Sequence, residues 1–210
     1  MVEDISVVKS AELDERNVDA NPIRQFQLWF DEAVSRGLPL AEAMTLCTAT
    51  TDGKPSARMI LLKGVAESGF VFYTNYRSRK ARELDANPFA ALVFYWEPLE
   101  RQVRVEGKVA RIAAEESDKY FQTRPRESQL GAIASPQSDV IESRELLEQE
   151  FQELEQKYSD RTIERPNHWG GYRLVPERIE FWKGRPGRLH DRLLYELQAD
   201  GEWNRTRLAP

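Results

Sequence analysis

The sequence contains very few of the residues that build disulfides and metal centres. Its 210 residues include one cysteine, Cys47, and two histidines, His168 and His190. A single cysteine cannot form an internal disulfide, and so few sulfur and imidazole ligands argue against a Cys/His metal cluster. We therefore interpret Cys47, which lies in an apolar run, as a small core residue, and we expect no metal site.

Long hydrophobic runs and excess positive charge are also missing. No apolar run approaches the ~18 residues of a membrane-spanning helix, and no cleavable apolar leader is recognisable, so we expect a cytoplasmic protein. The net charge is −5, which argues against nucleic acid and an anionic membrane as partners. A nucleic-acid-binding barrel is further disfavoured because the sequence has no stripe of aromatic and basic residues. Any basic site must therefore be local.

What the sequence does contain is typical of one globular domain. Hydrophobic residues make up 40% and charged residues 31% of the chain, and this length suffices for one core. Residues 1–20 are polar and have no clear period, which predicts a mobile arm followed by a single domain over residues 21–210.

The periodicity predicts a mainly β fold with inserted helices. Strand patterns cover residues 43–50, 56–64, 70–74, 89–97, 99–112, 170–175, 178–182, 189–196 and 203–208. Helical patterns cover residues 22–36, 78–87, 114–123, 125–134 and 139–158. Residues 89–97 are nearly all apolar, so we expect that strand to be buried on both faces. This arrangement favours a closed or nearly closed antiparallel barrel.

Residues 58–88 carry the clearest candidate site. Two apolar strands are followed by Ser78, a natural helix N-cap, and by Arg79 and Lys80 in the first helical turn. Cations are disfavoured beside the positive end of a helix dipole, whereas a bound anion would face free backbone N–H groups and two cationic side chains. The arrangement therefore indicates a phosphate site. The alternative is a solvated basic helix end that binds nothing.

A second candidate lies near the C-terminus. If residues 188–192 form a strand, Arg188, His190 and Arg192 share one face. Two guanidinium groups beside an imidazole suit an anionic planar ligand, because arginine pairs with anions and stacks on rings. The alternative is the exposed polar face of an edge strand.

Two further groups of polar residues are weaker candidates. Tyr120, Arg124 and Ser128 are spaced by four around a proline, and they either converge on one small oxyanion or lie exposed on the surface. Arg58 and Lys63 are five residues apart on an apolar strand, so a regular pleat sends them to opposite faces. These two cations therefore suit two separate anions, or one anion and one ion pair.

Several long motifs together resemble one family. They are RMILLKG, GFVFYTNYRSRKARELDANP, LERQVRVEGKV, KYFQTRPRESQLGAIASPQS, HWGGYRL, IEFWKG, RLHDR and a closing RLAP. In this order, over residues 21–210, the sequence resembles the pyridoxine (pyridoxamine) 5′-phosphate oxidases. The resemblance implies an FMN-binding split β-barrel and a homodimer with FMN at the subunit interface. It also implies oxidation of pyridoxine or pyridoxamine 5′-phosphate by dioxygen to pyridoxal 5′-phosphate, with release of hydrogen peroxide, in vitamin B6 biosynthesis or salvage.

The resemblance further implies which residues form the site. FMN would be bound by Arg58, Met59, Ile60, Leu61, Leu62, Lys63, Tyr73, Thr74, Arg79, Lys80, Gln102, Gln137, Ser138, Trp182 and Arg192. The substrate would be bound by Lys63, Tyr120, Arg124, Ser128, Arg188 and His190. Arg188 and His190 would lie over the pyridine ring as the catalytic pair, where they would orient the ring and help the proton leave the substrate as it is oxidised.

One departure and two alternatives accompany this interpretation. Family members commonly carry a basic, tyrosine-containing lid motif near the N-terminus, whereas residues 5–8 here read ISVV. The first alternative is a split-barrel flavin reductase that uses a nicotinamide, a class that does not need the phosphopyridine clamp formed by Tyr120, Arg124 and Ser128. The second is a binder of FMN or pyridoxal phosphate without catalytic activity.

Overall fold

The computed structural model describes residues 12–210. Residues 1–11 of the predicted arm, including the segment in place of the lid motif, lie outside the described residues. Within the rest of the predicted arm, Leu13 is 4% exposed and belongs to the main core. Its backbone N–H donates to Asp191 Oδ2 at 3.2 Å, and the Tyr195 hydroxyl donates to the Asp19 carbonyl at 2.7 Å. The division of the chain at residue 20 stays a prediction.

The described chain consists of nine β-strands and five α-helices. The strands are β1 (Ala43–Ala49), β2 (Pro55–Leu61), β3 (Gly64–Ala66), β4 (Gly69–Asn75), β5 (Phe89–Trp96), β6 (Arg101–Arg111), β7 (Trp169–Lys183), β8 (Asp191–Leu197) and β9 (Trp203–Arg207). The helices are α1 (Pro22–Ser35), α2 (Arg79–Ala86), α3 (Ala114–Thr123), α4 (Arg126–Ala134) and α5 (Arg144–Tyr158). The predicted mainly β fold with inserted helices is confirmed.

All the strands join one antiparallel sheet. Its order is β2-β1-β5-β6-β7-β4-β3, with β8 paired to β7 and β9 paired to β8. The path has two ends, so the sheet does not close on itself. It curls into a half-barrel. No helix within residues 12–210 is both long and apolar enough to cross a membrane.

The main core lies between α1 and the concave face of the sheet. Asn21 caps α1 by accepting the Ile23 N–H, and Pro22 occupies the first turn. The Phe26 ring of α1 lies 4.9 Å from the Phe70 ring and 4.8 Å from the Phe94 ring. A separate small cluster, formed by Phe121, Leu130, Ile163 and Trp169, attaches α3 and α4 to the start of β7.

Three details of the predicted strands and helices are wrong. Strand β5 is buried on one face only, since Phe89 and Tyr95 are 53% and 57% exposed on the face away from the core. The strand predicted over residues 56–64 ends at Leu61, and the chain turns before β3. Helix α5 begins at Arg144 rather than at residue 139, because the Ser143 side chain caps it by accepting the Leu146 N–H.

The two strands predicted over residues 170–175 and 178–182 form one continuous strand, β7. Strand β6 pairs along β7 on one edge, whereas the other edge pairs first with β4 and then with β8. Pro176 falls in the gap between those two partners, and the register with β6 shifts beside its pair, Gly107. A proline is tolerated at such an interruption of the ladders. The prediction therefore found the two pairing segments but missed that they belong to one strand. The 15 residues of β7 link two distant parts of the fold.

Candidate active site

A cavity of about 320 Å³ opens where β2, β4, α2 and α3 meet. Its lining combines four cationic side chains with three aromatic rings. The lining residues are Arg58, Met59, Ile60, Leu61, Lys63, Tyr73, Thr74, Lys80, Tyr120, Arg124, Gln137 and Trp169. All of these except Trp169 are residues that the sequence predicted to bind FMN or substrate.

One side of the cavity is formed by the end of β4 and the start of α2. Ser78 caps α2 by accepting the Ala81 N–H, and the first turn contains no acidic residue. The Lys80 amine is 3.1 Å from Thr74 Oγ1 and 3.0 Å from Gln137 Oε1. Burial, assisted by the positive charge of Arg58, lowers the pKa of Lys80 to about 8. The predicted N-cap and first-turn cations are confirmed, and Lys80 rather than Arg79 faces the cavity.

Arg58 is held by two hydroxyl groups that lie between it and a buried carboxylate. Its guanidinium donates to Thr48 Oγ1 at 2.6 Å and to Ser56 Oγ. Both hydroxyls in turn donate to Glu83 Oε2. Burial alone would raise the pKa of Glu83, but the hydrogen bonds from Ser56, Thr48 and Arg79 hold it at about 2. An ionised carboxylate only accepts, so it fixes both hydroxyl protons and leaves their lone pairs for Arg58.

The prediction that Arg58 and Lys63 lie on opposite faces of one strand is wrong, because both line the same cavity. Strand β2 ends at Leu61, and the Lys63 N–H donates to the Val71 carbonyl at 2.9 Å as the chain turns into β3. The alternation of a regular pleat therefore does not extend from Arg58 to Lys63.

The other side of the cavity is aromatic. The Tyr73 ring is stacked 3.9 Å from the Tyr120 ring and 5.3 Å from the Trp169 ring. The Arg124 guanidinium lies 4.5 Å from the centre of the Trp169 ring. Burial raises the pKa of Tyr73 to about 12 and lowers the pKa of Arg124. The tyrosines therefore stay neutral, and a half-buried cation lies beside them.

Nine predicted site residues do not line this cavity. Four of them are Leu62, Arg79, Ser128 and Ser138. Leu62 is 5% exposed and packs in the main core. Arg79 is exposed and donates to Glu83 Oε1 at 2.8 Å. Of the trio spaced by four, Tyr120 and Arg124 converge on the cavity, whereas Ser128 does not.

The remaining five predicted residues cluster around the far end of β7. They are Gln102, Trp182, Arg188, His190 and Arg192. Trp182 is paired with Gln102 on one side and Arg192 on the other. Its ring lies 4.7 Å from the His190 ring, and Arg192 donates to both carboxylate oxygens of Glu180.

The predicted strand face shared by Arg188, His190 and Arg192 is wrong. Strand β8 begins at Asp191, and Arg188 ends a short 3₁₀ turn with a φ of 61°. The Arg185 N–H donates to His190 Nδ1 at 3.1 Å. His190 and Arg188 are therefore placed by a tight loop rather than by pleat alternation, and the proton of the neutral imidazole lies on Nε2.

Trp169 is the lining residue that sequence reasoning missed. It is 6% exposed and lies at the start of β7. The HWGGYRL motif contains it, but a tryptophan at the start of a strand is interpreted first as a core residue. Its neighbours in the cavity come from β4 and α3, and only the fold brings them together.

Two family models match the chain. The model of the pyridoxamine 5′-phosphate oxidase family matches residues 30–158. The model of the pyridoxine 5′-phosphate oxidase C-terminal dimerisation region matches residues 169–210. The second region contains the far end of β7 and the loop with Arg188 and His190.

Curated relatives cover nearly the whole chain. A pyridoxine/pyridoxamine 5′-phosphate oxidase of Rubrobacter xylanophilus is 60% identical over 200 residues, which are 95% of this chain and 92% of that protein. The enzyme of the same name from Trichormus variabilis is 57% identical over 198 residues, with coverage of 94% and 92%.

Solved structures share the fold. PhzG from Burkholderia lata, in complex with tetrahydrophenazine-1-carboxylic acid, matches with a TM-score of 0.90 and 32% identity, over 96% of this chain and 98% of that one. A pyridoxamine 5′-phosphate oxidase-related, FMN-binding protein from Nostoc punctiforme has a TM-score of 0.72 and 20% identity, with coverage of 92% and 100%. The second match bears on the fold alone, and the predicted split β-barrel is confirmed.

These matches and the predicted motifs agree over the same residues. The family models span residues 30–158 and 169–210, and the relatives extend the similarity over most of the rest. The chain belongs to the pyridoxine/pyridoxamine 5′-phosphate oxidase family of oxidoreductases.

Proposed function

We propose that this chain oxidises pyridoxine 5′-phosphate and pyridoxamine 5′-phosphate to pyridoxal 5′-phosphate, with dioxygen as the final electron acceptor and hydrogen peroxide as a product. The observation that carries the proposal is the presence of four cationic side chains in one cavity. We assign Arg58 and Lys80, whose charges act on each other, to one group, and Lys63 and Arg124 to another. Two phosphorylated ligands, a cofactor and a substrate, account for both groups.

FMN is the cofactor of this family, and the end of β4 fits its phosphate. Lys80 is a buried cation whose hydrogen-bond partners are a hydroxyl and an amide oxygen rather than a carboxylate. Lys80, Arg58 and the capped start of α2 would bind the phosphate, because charge-assisted N–H donors and a helix N-terminus favour an anion. FMN held there would supply the redox chemistry, as the acceptor of two electrons from the substrate and their donor to dioxygen.

The substrate phosphate is assigned to Lys63, Tyr120 and Arg124, with Ser128 as a further donor. Arg124 Nη1 is buried and has no hydrogen-bond partner among the described residues. A buried N–H without a partner costs stability unless a ligand satisfies it. Binding energy from the phosphate, remote from the reacting carbon, then orients that carbon for oxidation.

The second cluster, at the far end of β7, is assigned to the partner subunit's cavity. Trp169 and Trp182 lie near opposite ends of this 15-residue strand, and an extended strand of that length separates them by about 40 Å. The match of residues 169–210 to a dimerisation region supports a homodimer. In that dimer FMN would lie at the subunit interface, between one chain's cavity and the other chain's Gln102, Trp182 and Arg192.

Arg188 and His190 would orient the pyridine ring from that second chain. The hydrogen bond from the Arg185 N–H to His190 Nδ1 places the imidazole proton on Nε2. His190 is therefore a donor to an oxygen of the substrate in its neutral form, and Arg188 adds a cation that stacks on or pairs with the ring. These two roles restrict the substrate to one orientation.

The test is a spectroscopic turnover in two stages. Purified protein loaded with FMN is mixed with pyridoxine 5′-phosphate without oxygen, and the flavin absorbance is expected to bleach. Admission of air is expected to restore the absorbance with formation of hydrogen peroxide and pyridoxal 5′-phosphate. An unbleached flavin would contradict the proposal.

The same preparation separates the alternatives. Bleaching by a reduced nicotinamide and not by pyridoxine 5′-phosphate would identify a flavin reductase. Absence of bleaching by either compound would identify a binder without catalytic activity. The cations Lys63 and Arg124 favour the phosphorylated substrate over the flavin reductase, because that class does not need a phosphopyridine clamp. Turnover is what separates the oxidase from a binder of pyridoxal phosphate.

A further inference from the structure

The position of Arg124 in the cavity is unusual for a half-buried arginine. Within residues 12–210, no carboxylate lies within salt-bridge distance of its guanidinium, and its Nη1 is buried without a hydrogen-bond partner. Such a group is normally paired with a carboxylate, since an uncompensated cation loses hydration on burial. Some other feature must therefore hold it in place.

That feature is the indole ring of Trp169. The guanidinium carbon lies 4.5 Å from the centre of this ring and 5.6 Å from the centre of the Phe121 ring. Trp169 is itself fixed: it is 6% exposed, packs edge-on against Phe121 at 5.3 Å, and its carbonyl accepts from Arg165 Nη1. The Arg124 cation therefore lies over a rigid aromatic face.

The same indole supports a second proposed ligand of the substrate phosphate. Trp169 stacks on Tyr73 with an angle of 9° between the rings, and Tyr73 stacks on Tyr120 with an angle of 14°. The three rings are nearly parallel, so the position of the Tyr120 hydroxyl depends on the stack that starts at Trp169. One buried side chain thus underlies both Arg124 and Tyr120.

We propose that Trp169 is a positioning residue that holds Arg124 and Tyr120 for the substrate phosphate and takes the place of a counter-ion. A carboxylate at this point would neutralise Arg124 and occupy its N–H donors. A ring face attracts the cation through its quadrupole and leaves the N–H donors at the guanidinium edge free for an oxyanion. This inference rests on the assignment of Arg124 and Tyr120 to the substrate phosphate.

The test compares ligands with and without a phosphate on the FMN-loaded protein. Dissociation constants for pyridoxal 5′-phosphate and for pyridoxal are measured for Trp169→Leu, Trp169→Phe and the parent. Loss of the ring is expected to weaken the binding of pyridoxal 5′-phosphate by about 5- to 30-fold, which corresponds to the free energy of a cation–π contact. Pyridoxal binding should change by less than about twofold, and Trp169→Phe should recover part of the loss. With pyridoxine 5′-phosphate, KM should rise more than kcat falls.

The chain offers a matched control at Trp29. This tryptophan is 7% exposed and lies 4.6 Å below the Arg101 guanidinium, but it does not line the cavity. Trp29→Leu removes a contact of the same kind from the main core, so it should lower stability without changing the ratio of the two dissociation constants. An altered ratio in this control would overturn the inference.

A double mutant separates positioning from simple packing. In an Arg124→Leu background, Trp169→Leu should lower the affinity for pyridoxal 5′-phosphate little further, because the guanidinium that Trp169 positions is no longer present. Full additivity, an equal loss for pyridoxal, or no loss at all would each overturn the proposed role of Trp169. If the parent protein binds pyridoxal as tightly as its phosphate, the assignment of the phosphate site fails instead.

Discussion

At the scale of single residues, the protonation of Lys80 is the most informative property of the cavity. Burial lowers its pKa from 10.5 to about 8 in the folded protein. Among residues 12–210 the amine has no carboxylate partner, and its environment therefore disfavours the charged form until an anion arrives. A bound phosphate reverses this balance and raises the pKa again.

This gives a prediction for pH dependence. Above about pH 8 the free protein must take up a proton to bind FMN with a charged Lys80, so FMN affinity should fall up to tenfold per pH unit. Fluorescence titration with FMN between about pH 7.5 and about pH 9.5 would measure this. The variant Lys80→Arg, which stays charged, should show a flat profile, and an equally flat profile in the parent would contradict the prediction.

The same shift has an opposite consequence for the stability of the protein without FMN. Between about pH 8 and its ordinary pKa of 10.5, Lys80 is more protonated in the unfolded chain than in the folded one. Stability should therefore increase as the pH rises through this range, as far as Lys80 contributes to it. Below about pH 8 both states are protonated and the contribution is constant.

A second residue-scale prediction divides binding from turnover. Lys80→Ala removes a charge-assisted bond to the cofactor phosphate and should weaken FMN binding by roughly 10- to 100-fold. Arg188→Leu should leave FMN occupancy nearly unchanged and lower kcat on the order of 10²-fold, because the substrate ring is no longer oriented. Flavin content after gel filtration and steady-state rates would measure both. Equal effects of the two variants on both quantities would contradict the division of roles.

At the scale of secondary structure, helix α2 places the residues proposed to bind the FMN phosphate. Its N-cap, Ser78, is fully buried and accepts the Ala81 N–H. The first turn is cationic, and this local sequence stabilises the helix less than an acidic turn would. The cap therefore matters both for the helix and for the direction of the Lys80 side chain.

Removing two N-caps would separate these effects. Ser78→Ala should lower the free energy of unfolding by about 1 kcal/mol and weaken FMN binding as well. Ser143 caps α5 in the same way, outside the cavity, so Ser143→Ala should have a smaller or similar effect on stability and none on FMN. Urea unfolding and FMN titration of both variants would measure this. Unchanged FMN affinity in Ser78→Ala would show that the cap does not control Lys80.

At the scale of the whole molecule, the proposed site needs two chains. The cavity and the cluster around Trp182 are near opposite ends of β7, and each holds part of the predicted site. A C2 dimer places the same surface of each chain against the other, so each cavity would receive the other chain's cluster.

Mixing two impaired variants, at an FMN concentration too low to saturate Lys80→Ala, tests this arrangement. Lys80→Ala damages the cavity and Arg188→Leu damages the cluster, so a mixed dimer would contain one intact site and one doubly damaged site. Random reassortment after mild dissociation should restore up to about 25% of the parent activity, because half of the dimers are mixed and each has one working site. Each variant taken alone through the same dissociation and reassociation is the control. No recovery in a mixture shown to contain mixed dimers would place the whole site within one chain.

Much of the fold and part of the site were predictable because their signals are local. The N-cap at Ser78, the cations of the following turn and the end of α2 near Asn87 follow from neighbouring residues in the chain. The strands were recognisable from alternation and apolar runs, although the continuity of β7 was not. Its two pairing partners, β4 and β8, come from distant parts of the sequence.

The sequence by itself determined most of the elements, the family motifs and the chemical types of the residues proposed to bind anions. Only the tertiary structure decided that Arg58 and Lys63 line one cavity, that Arg188 and His190 lie in a loop, and that Trp169 lies beneath Arg124. The physical reason is the range of each interaction. Helix caps and pleat alternation act over a few residues, whereas ring stacking, cation–π contacts and strand pairing join residues far apart in the chain, whose meeting depends on the packed fold.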